Sequence, residues 1–140
     1  MEESKESQKG IRLKIILTIV GTIAMSIVIH EFAHYIMAVF LGYPAQMNFA
    51  GAGIAYTYFQ MSPLNYTSLF MVASMGPIAN FFMFMFGRHF TNIPNNDYGH
   101  WLFYYVLYLS NLYFLGINIV PYGGSDGSIM FFAIKSLLGI

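Results

Sequence analysis

The sequence predicts an all-α membrane protein with three membrane-spanning helices, a short β-hairpin or re-entrant segment after the first, and a C-terminal half-helix. Three observations carry this. Hydrophobic residues make up 57% of the 140 and charged residues only 9%, against about 25% charged in water-soluble domains. So few charges cannot build a wetted surface. Three apolar runs are each long enough to cross a bilayer, which takes about 20 helical residues. The segments between them are short and punctuated by Gly, Pro and Asn. A net charge of +0 gives no pull on nucleic acid, whose binding rests on neutralised phosphates. With no cysteine, disulfides and thiolate metal sites are both excluded.

Residues 1–14 hold Glu2, Glu3 and Glu6 together with Lys5, Lys9, Arg12 and Lys14, and read as a solvated tail ahead of a membrane-embedded core at 15–140. The apolar run behind the tail exceeds the roughly 7–15 residues of a signal-peptide core, which argues against cleavage. The first span, 15–41, is interrupted only by His30, Glu31 and His34, and Gly42, Tyr43 and Pro44 end it. The uncharged segment 46–61 centres on Gly51-Ala52-Gly53 and continues through Tyr56, Thr57, Tyr58 and Phe59. Glycines flanked by β-favouring residues suggest a hairpin or re-entrant loop, with a plain amphiphilic surface loop equally compatible. A free strand edge in lipid must lie against protein, and there it could hold an extended peptide through main-chain hydrogen bonds.

The second span, 68–87, closes on Arg88 and His89 and carries Gly76-Pro77 in its middle. That pair should kink the helix and leave one carbonyl without its partner. The third span, 101–120, starts with Tyr98 and Trp101 at the interface, where aromatic residues anchor. Residues 128–140 are too few to cross and form a half-helix or interfacial segment.

His30-Glu31-Phe32-Ala33-His34 is an H-E-x-x-H motif on a predicted helix. Residues four apart lie about 40° around the helix and 6 Å along it, so both imidazoles can reach one ion. Neutral imidazole binds zinc well, and the adjacent glutamate can take a proton from a water beside the metal. Of the six acidic residues, only Glu31 and Asp126 fall within or beside apolar segments. A carboxylate at membrane depth costs about 2.5–3.5 kcal/mol, which makes a functional role its default reading. Catalytic zinc usually takes three protein ligands, and Asp126 is the candidate third. Three alternating spans return it to the side of His30 and His34, while His89 and His100 fall on the opposite side as interfacial residues. The bland alternative makes Asp126 the N-cap of the last helix.

Three matches together resemble the site-2 protease family of intramembrane zinc metalloproteases. They are His30-Glu31-Phe32-Ala33-His34 followed by Gly42-Tyr43-Pro44, then Gly76-Pro77-Ile78-Ala79-Asn80, then Asn118-x-x-Pro121-x-x-x-x-Asp126-Gly127. They cover about residues 25–127. The resemblance implies one zinc ion held by His30, His34 and Asp126, with Glu31 as general base and Asn118 contacting the substrate or the developing oxyanion. Segment 46–61 would be the family's membrane-associated hairpin, with Gly51, Gly53, Asn80 and Pro121 as substrate-contacting residues. It implies a multi-pass protein of the cell membrane engaged in regulated intramembrane proteolysis of transmembrane protein substrates. The chain departs from the pattern at Gly123 and Ser125, which stand for a proline and a leucine and should make the turn looser and more polar. It also leaves no room for the additional domains that many members carry, so substrate selection would rest on the core or on a regulatory membrane partner.

Orientation divides two arguments. The resemblance puts the active-site side toward the cytosol, whereas Lys5, Lys9, Arg12, Lys14 and Arg88 would place the opposite side there. Other readings compete with proteolysis. A non-cleaving metal-binding homologue would have no use for Glu31, and a purely structural protein leaves two intramembrane carboxylates unexplained. A di-iron oxygenase would need more histidines than four. A prenyl-protein type protease would want a second glutamate ligand, and outside the tail Glu31 is the only glutamate.

Overall fold

The computed structural model describes the backbone of residues 2–50, 54–93 and 97–140. Among these residues the chain forms α1 (Glu2–Phe40), β1 (Ala45–Ala50), β2 (Ile54–Phe59), α2 (Tyr66–Thr91), α3 (Tyr98–Ile119) and α4 (Asp126–Leu138). It is mostly helical, and three helices are long and apolar enough to cross a membrane: Gln8–Phe40, Tyr66–Thr91 and Tyr98–Ile119. Even the shortest of them, at about 1.5 Å per residue, exceeds the roughly 30 Å hydrocarbon core.

At the N-terminus, residues 2–14 continue α1 as unbroken helix. Residues 8–14 are all exposed. The helix ends where Gly42 was expected to end it. Tyr43 N–H donates to Ala38 O at 3.0 Å and Gly42 N–H to Val39 O at 2.9 Å, with Gly42 at φ 83°. This is the paired closure that a left-handed glycine permits.

α1 meets its neighbours along one line. Its buried positions are Thr22, Ser26, His30, His34 and Ala38, a single i, i+4 ridge. Small and polar side chains on that ridge allow close helix approach, which matters where lipid offers no hydrophobic drive to pack. α2 answers with Val72, Ala73, Gly76, Pro77 and Asn80, and α3 with Leu107 and Asn111. Below the histidines, Asn111 Nδ2 donates to Ser26 Oγ at 2.9 Å, and Ser26 Oγ donates to Thr22 O at 2.9 Å. Outward faces carry Leu17, Val20, Phe82, Phe86 and Tyr113, all exposed. An apolar surface of that extent is suited to lipid.

α2 runs through Pro77 without interruption. Its N-terminus is capped by Asn65, whose side chain accepts from Ser68 N–H at 3.1 Å. Of the alternatives for 46–61, the hairpin is the one formed. β1 and β2 pair antiparallel from Ala45↔Phe59 to Ala50↔Ile54. Gly51 and Gly53, expected to contact substrate, lie outside the described residues. The sheet sits against α1 near Glu31, so one strand edge is covered by protein.

Candidate metal centre

Four elements converge on one point. α1 supplies His30, Glu31 and His34, whose ligand atoms lie within 4.8 Å of one another, a group able to hold a metal ion. The first turn of α4 brings Asp126 closer still. His30 Nε2 is 3.0 Å from Asp126 Oδ2 and His34 Nε2 is 3.2 Å from Asp126 Oδ1. The two imidazole Nε2 atoms are 3.2 Å apart. Tetrahedral zinc with bonds of about 2.0–2.1 Å sets its ligand atoms about 3.3–3.4 Å from one another. The observed spacing is within a few tenths of an ångström of that. Asp126 Oδ2 is buried and has no hydrogen bond of acceptable geometry, and a buried polar atom left so is costly unless something fills the point it faces.

The histidines are set for this by their far nitrogens. His34 Nδ1 lies 2.7 Å from Val72 O. A carbonyl only accepts, so Nδ1 carries the proton and Nε2 presents a lone pair to the centre. His30 Nδ1 lies 2.9 Å from the Asn80 amide nitrogen, and Asn80 Oδ1 is buried without a partner. A half-turn of that amide exchanges the two atoms, so that Oδ1 would accept from Nδ1–H and leave His30 Nε2 free to ligate. Asn80 is 1% exposed. Its place is behind His30, buried in the bundle, rather than in the cavity where a substrate would lie. Gly76 packs against the other side of the ring pair, where a Cβ would collide with His30 Cε1, His30 Nε2 and His34 Nε2. Helix α2 therefore carries Gly76 for close approach and Asn80 for orientation.

Ser125, not Asp126, caps α4. Its side chain accepts from Ser128 N–H at 3.2 Å, which leaves the Asp126 carboxylate free to face the histidines. Ser125 Oγ also lies 2.7 Å from Val120 O and 2.9 Å from Tyr122 O, and the residue is 2% exposed. The turn was expected to be looser and more polar because Gly123 and Ser125 stand for a proline and a leucine. It is polar but tied, because one buried hydroxyl pins both of its strands. Gly127 packs directly on the Ile119 carbonyl, with no room for a side chain. Burial works to raise the Asp126 carboxyl, but the two imidazoles against it outweigh this and hold it down at about 2. The group is an ionised oxygen donor over the ordinary pH range.

Glu31 lies beside the histidines but is anchored from another element. Its Oε2 accepts Thr57 N–H at 2.7 Å, so β2 holds the carboxylate. A cavity of about 200 Å³ opens beside it, lined by Glu31, His34, Thr57, Phe59, Ala73 and Asp126 among others. A second, of about 180 Å³, is also lined by Glu31, together with Ile27, His30, Phe114, Ile117 and Asn118. Asn118 is thus brought to His30 and Glu31. Pro121 is exposed and lines neither cavity. His89 and His100 pack on Phe90 and Tyr104, away from the centre. Sequence reasoning missed Thr57 as a partner of Glu31 and Asn111 with Ser26 as a buried polar pair. A signal for Ser26 and Thr22 was available, since both continue the four-residue spacing of His30 and His34. Comparison with protein-family models, curated proteins and solved structures found no match.

Proposed function

We propose that this chain is a membrane-embedded zinc metalloprotease of the site-2 type, hydrolysing peptide bonds in or near the transmembrane segments of other proteins. The observation that carries the reading is the convergence of His30 Nε2, His34 Nε2 and the Asp126 carboxylate at 3.0–3.2 Å, with Glu31 beside a cavity that His34 and Asp126 also line. One zinc ion per chain would be held by His30, His34 and Asp126, and when bound would supply Lewis acidity to a water and a peptide carbonyl.

The chain's own residues do the rest. Glu31, through the oxygen not bonded to Thr57, takes the proton from the attacking water and returns it to the departing amine nitrogen. Asn118, which lines the cavity shared with His30 and Glu31, offers an amide donor to the oxygen that gains charge. Phe59 and Ala73 supply an apolar wall that limits bulk water. A helical peptide hides its carbonyls, so the substrate must be extended where it meets the centre, and the hairpin beside the cavity suits that need.

The test is the zinc content of the detergent-purified protein beside His34→Ala and Asp126→Ala. About one zinc per chain, lost in both variants, is expected for a three-ligand site. Zinc indifferent to Asp126 would sink the ligand set. Zinc retained without hydrolysis of any membrane protein would favour the non-cleaving metal-binding reading.

A further inference from the structure

We propose that Thr57 is the positioning residue of this centre: its main-chain N–H aims the Glu31 carboxylate, and its hydroxyl fixes β2 to α1 so that the aim holds. The inference rests on the proposed metal centre and adds to it the group that makes Glu31 usable.

Two contacts join Thr57 to one residue. Thr57 N–H donates to Glu31 Oε2 at 2.7 Å, and Thr57 Oγ1 donates to the Glu31 main-chain oxygen, also at 2.7 Å. Strand alternation explains why this N–H is available. Gln60 N–H extends the ladder by donating to Pro44 O at 3.0 Å, so Tyr56, Tyr58 and Gln60 turn their main-chain groups toward β1. Thr57, opposite Met47, turns its own outward to α1. At membrane depth an outward N–H without a partner would be costly, and Glu31 is the partner it has.

The geometry also answers a need of Glu31. Left alone, its side chain samples several staggered wells about χ1 and χ2 and turns broadly about χ3. A charge-assisted hydrogen bond to one carboxylate oxygen is short and directional. It selects one arrangement and leaves the other oxygen without that bond, on a residue that lines both cavities. The hydroxyl contact then works on the backbone. By holding the Glu31 carbonyl it sets the register of β2 against α1, and with it the position of the N–H. Threonine combines the hydroxyl with the β-branched form that suits a strand. Serine keeps both contacts and valine keeps only the shape and the N–H.

The test uses the full chain in lipid nanodiscs, loaded with cobalt(II) as the spectroscopic probe, with hydrogen exchange of the Thr57 amide measured in parallel. The unaltered chain should bind one cobalt, and its Thr57 amide should exchange at least about tenfold more slowly than an unprotected amide. Thr57→Ser should reproduce the unaltered visible spectrum. Thr57→Val should shift the bands as Glu31→Gln does, and the double variant should shift them no further than Glu31→Gln alone. A Thr57→Val spectrum superimposable on the unaltered one would overturn the proposal. So would changes that add in the double variant, loss of cobalt from Thr57→Val, or free exchange of the Thr57 amide in the unaltered chain. A chain that binds no cobalt but keeps the amide protected separates the two failures. The contact would stand, the metal centre would fall, and the positioning role would fall with it.

Discussion

Replacing Gly76 by alanine tests the centre without replacing any proposed ligand. A methyl at this position would lie against three imidazole atoms, with His30 Nε2 at 2.5 Å. Carbon and nitrogen are comfortable at about 3.5 Å, so the rings must retreat by roughly 1 Å. Ligand distances at a metal site tolerate only about 0.2 Å. The rings cannot yield freely either, because His34 is held at Val72 O and His30 at Asn80. Overpacking of this kind costs about 1–3 kcal/mol. Taken out of binding, that is a loss of about 5- to 150-fold in zinc affinity. The assay is competition against a chromogenic chelator on the detergent-purified protein. Gly116→Ala is the control, since a Cβ there meets nothing within 4 Å. Zinc held by Gly76→Ala as tightly as by the unaltered chain would refute the packing argument and the convergence of the two imidazoles with it.

Other outcomes follow from the same geometry. Glu31→Gln should keep zinc, since His30, His34 and Asp126 remain as the three proposed ligands, while hydrolysis falls by about 10²–10⁴-fold; parallel metal analysis and a cleavage assay check both halves. Asn80→Ala removes the amide behind His30 and should weaken zinc about 10- to 100-fold, with Asn80→Asp recovering much of it because a carboxylate accepts from Nδ1–H. Acidification should release zinc as protons compete for the ligands. The Asp126 carboxyl lies at about 2 and so stays an ionised donor at mildly acid pH, and an equilibrium-dialysis curve for Asp126→Glu should keep the midpoint of the unaltered chain. Asn111→Ala breaks the bond to Ser26, which should lower stability by about 1 kcal/mol in unfolding followed in mixed micelles, with zinc content unchanged.

Much of the site could be read along the chain because its chemistry is local. His30, Glu31 and His34 are one helical turn, and a turn fixes their relation wherever the helix packs. The helix stop at Gly42 and the hairpin between the first two spans were legible for the same reason, as turn chemistry acts over a few residues. Asp126 was reachable by a coarser argument, the return of a third span to the first one's side. What that argument could not supply was the orientation of its carboxylate, which depends on Ser125 taking the cap.

Asn80 shows where local reading fails. Its motif drew attention to it, but only the packing of α2 on α1 puts its amide at His30 Nδ1. Gly76 likewise reads as half of a kink in the sequence and proves to be the surface on which two imidazoles rest. Thr57 gave no signal, since a strand threonine is ordinary and its partner lies 26 residues away. The sequence by itself determined the apolar composition, the presence of three long apolar helices and the spacing of the two histidines, because these follow from side-chain chemistry and helical period. The tertiary structure alone decided which nitrogen of each imidazole faces the centre, which oxygen of Glu31 is held, and how near Asp126 comes. Those depend on tenths of an ångström between segments distant in the chain, and only packing sets distances of that kind.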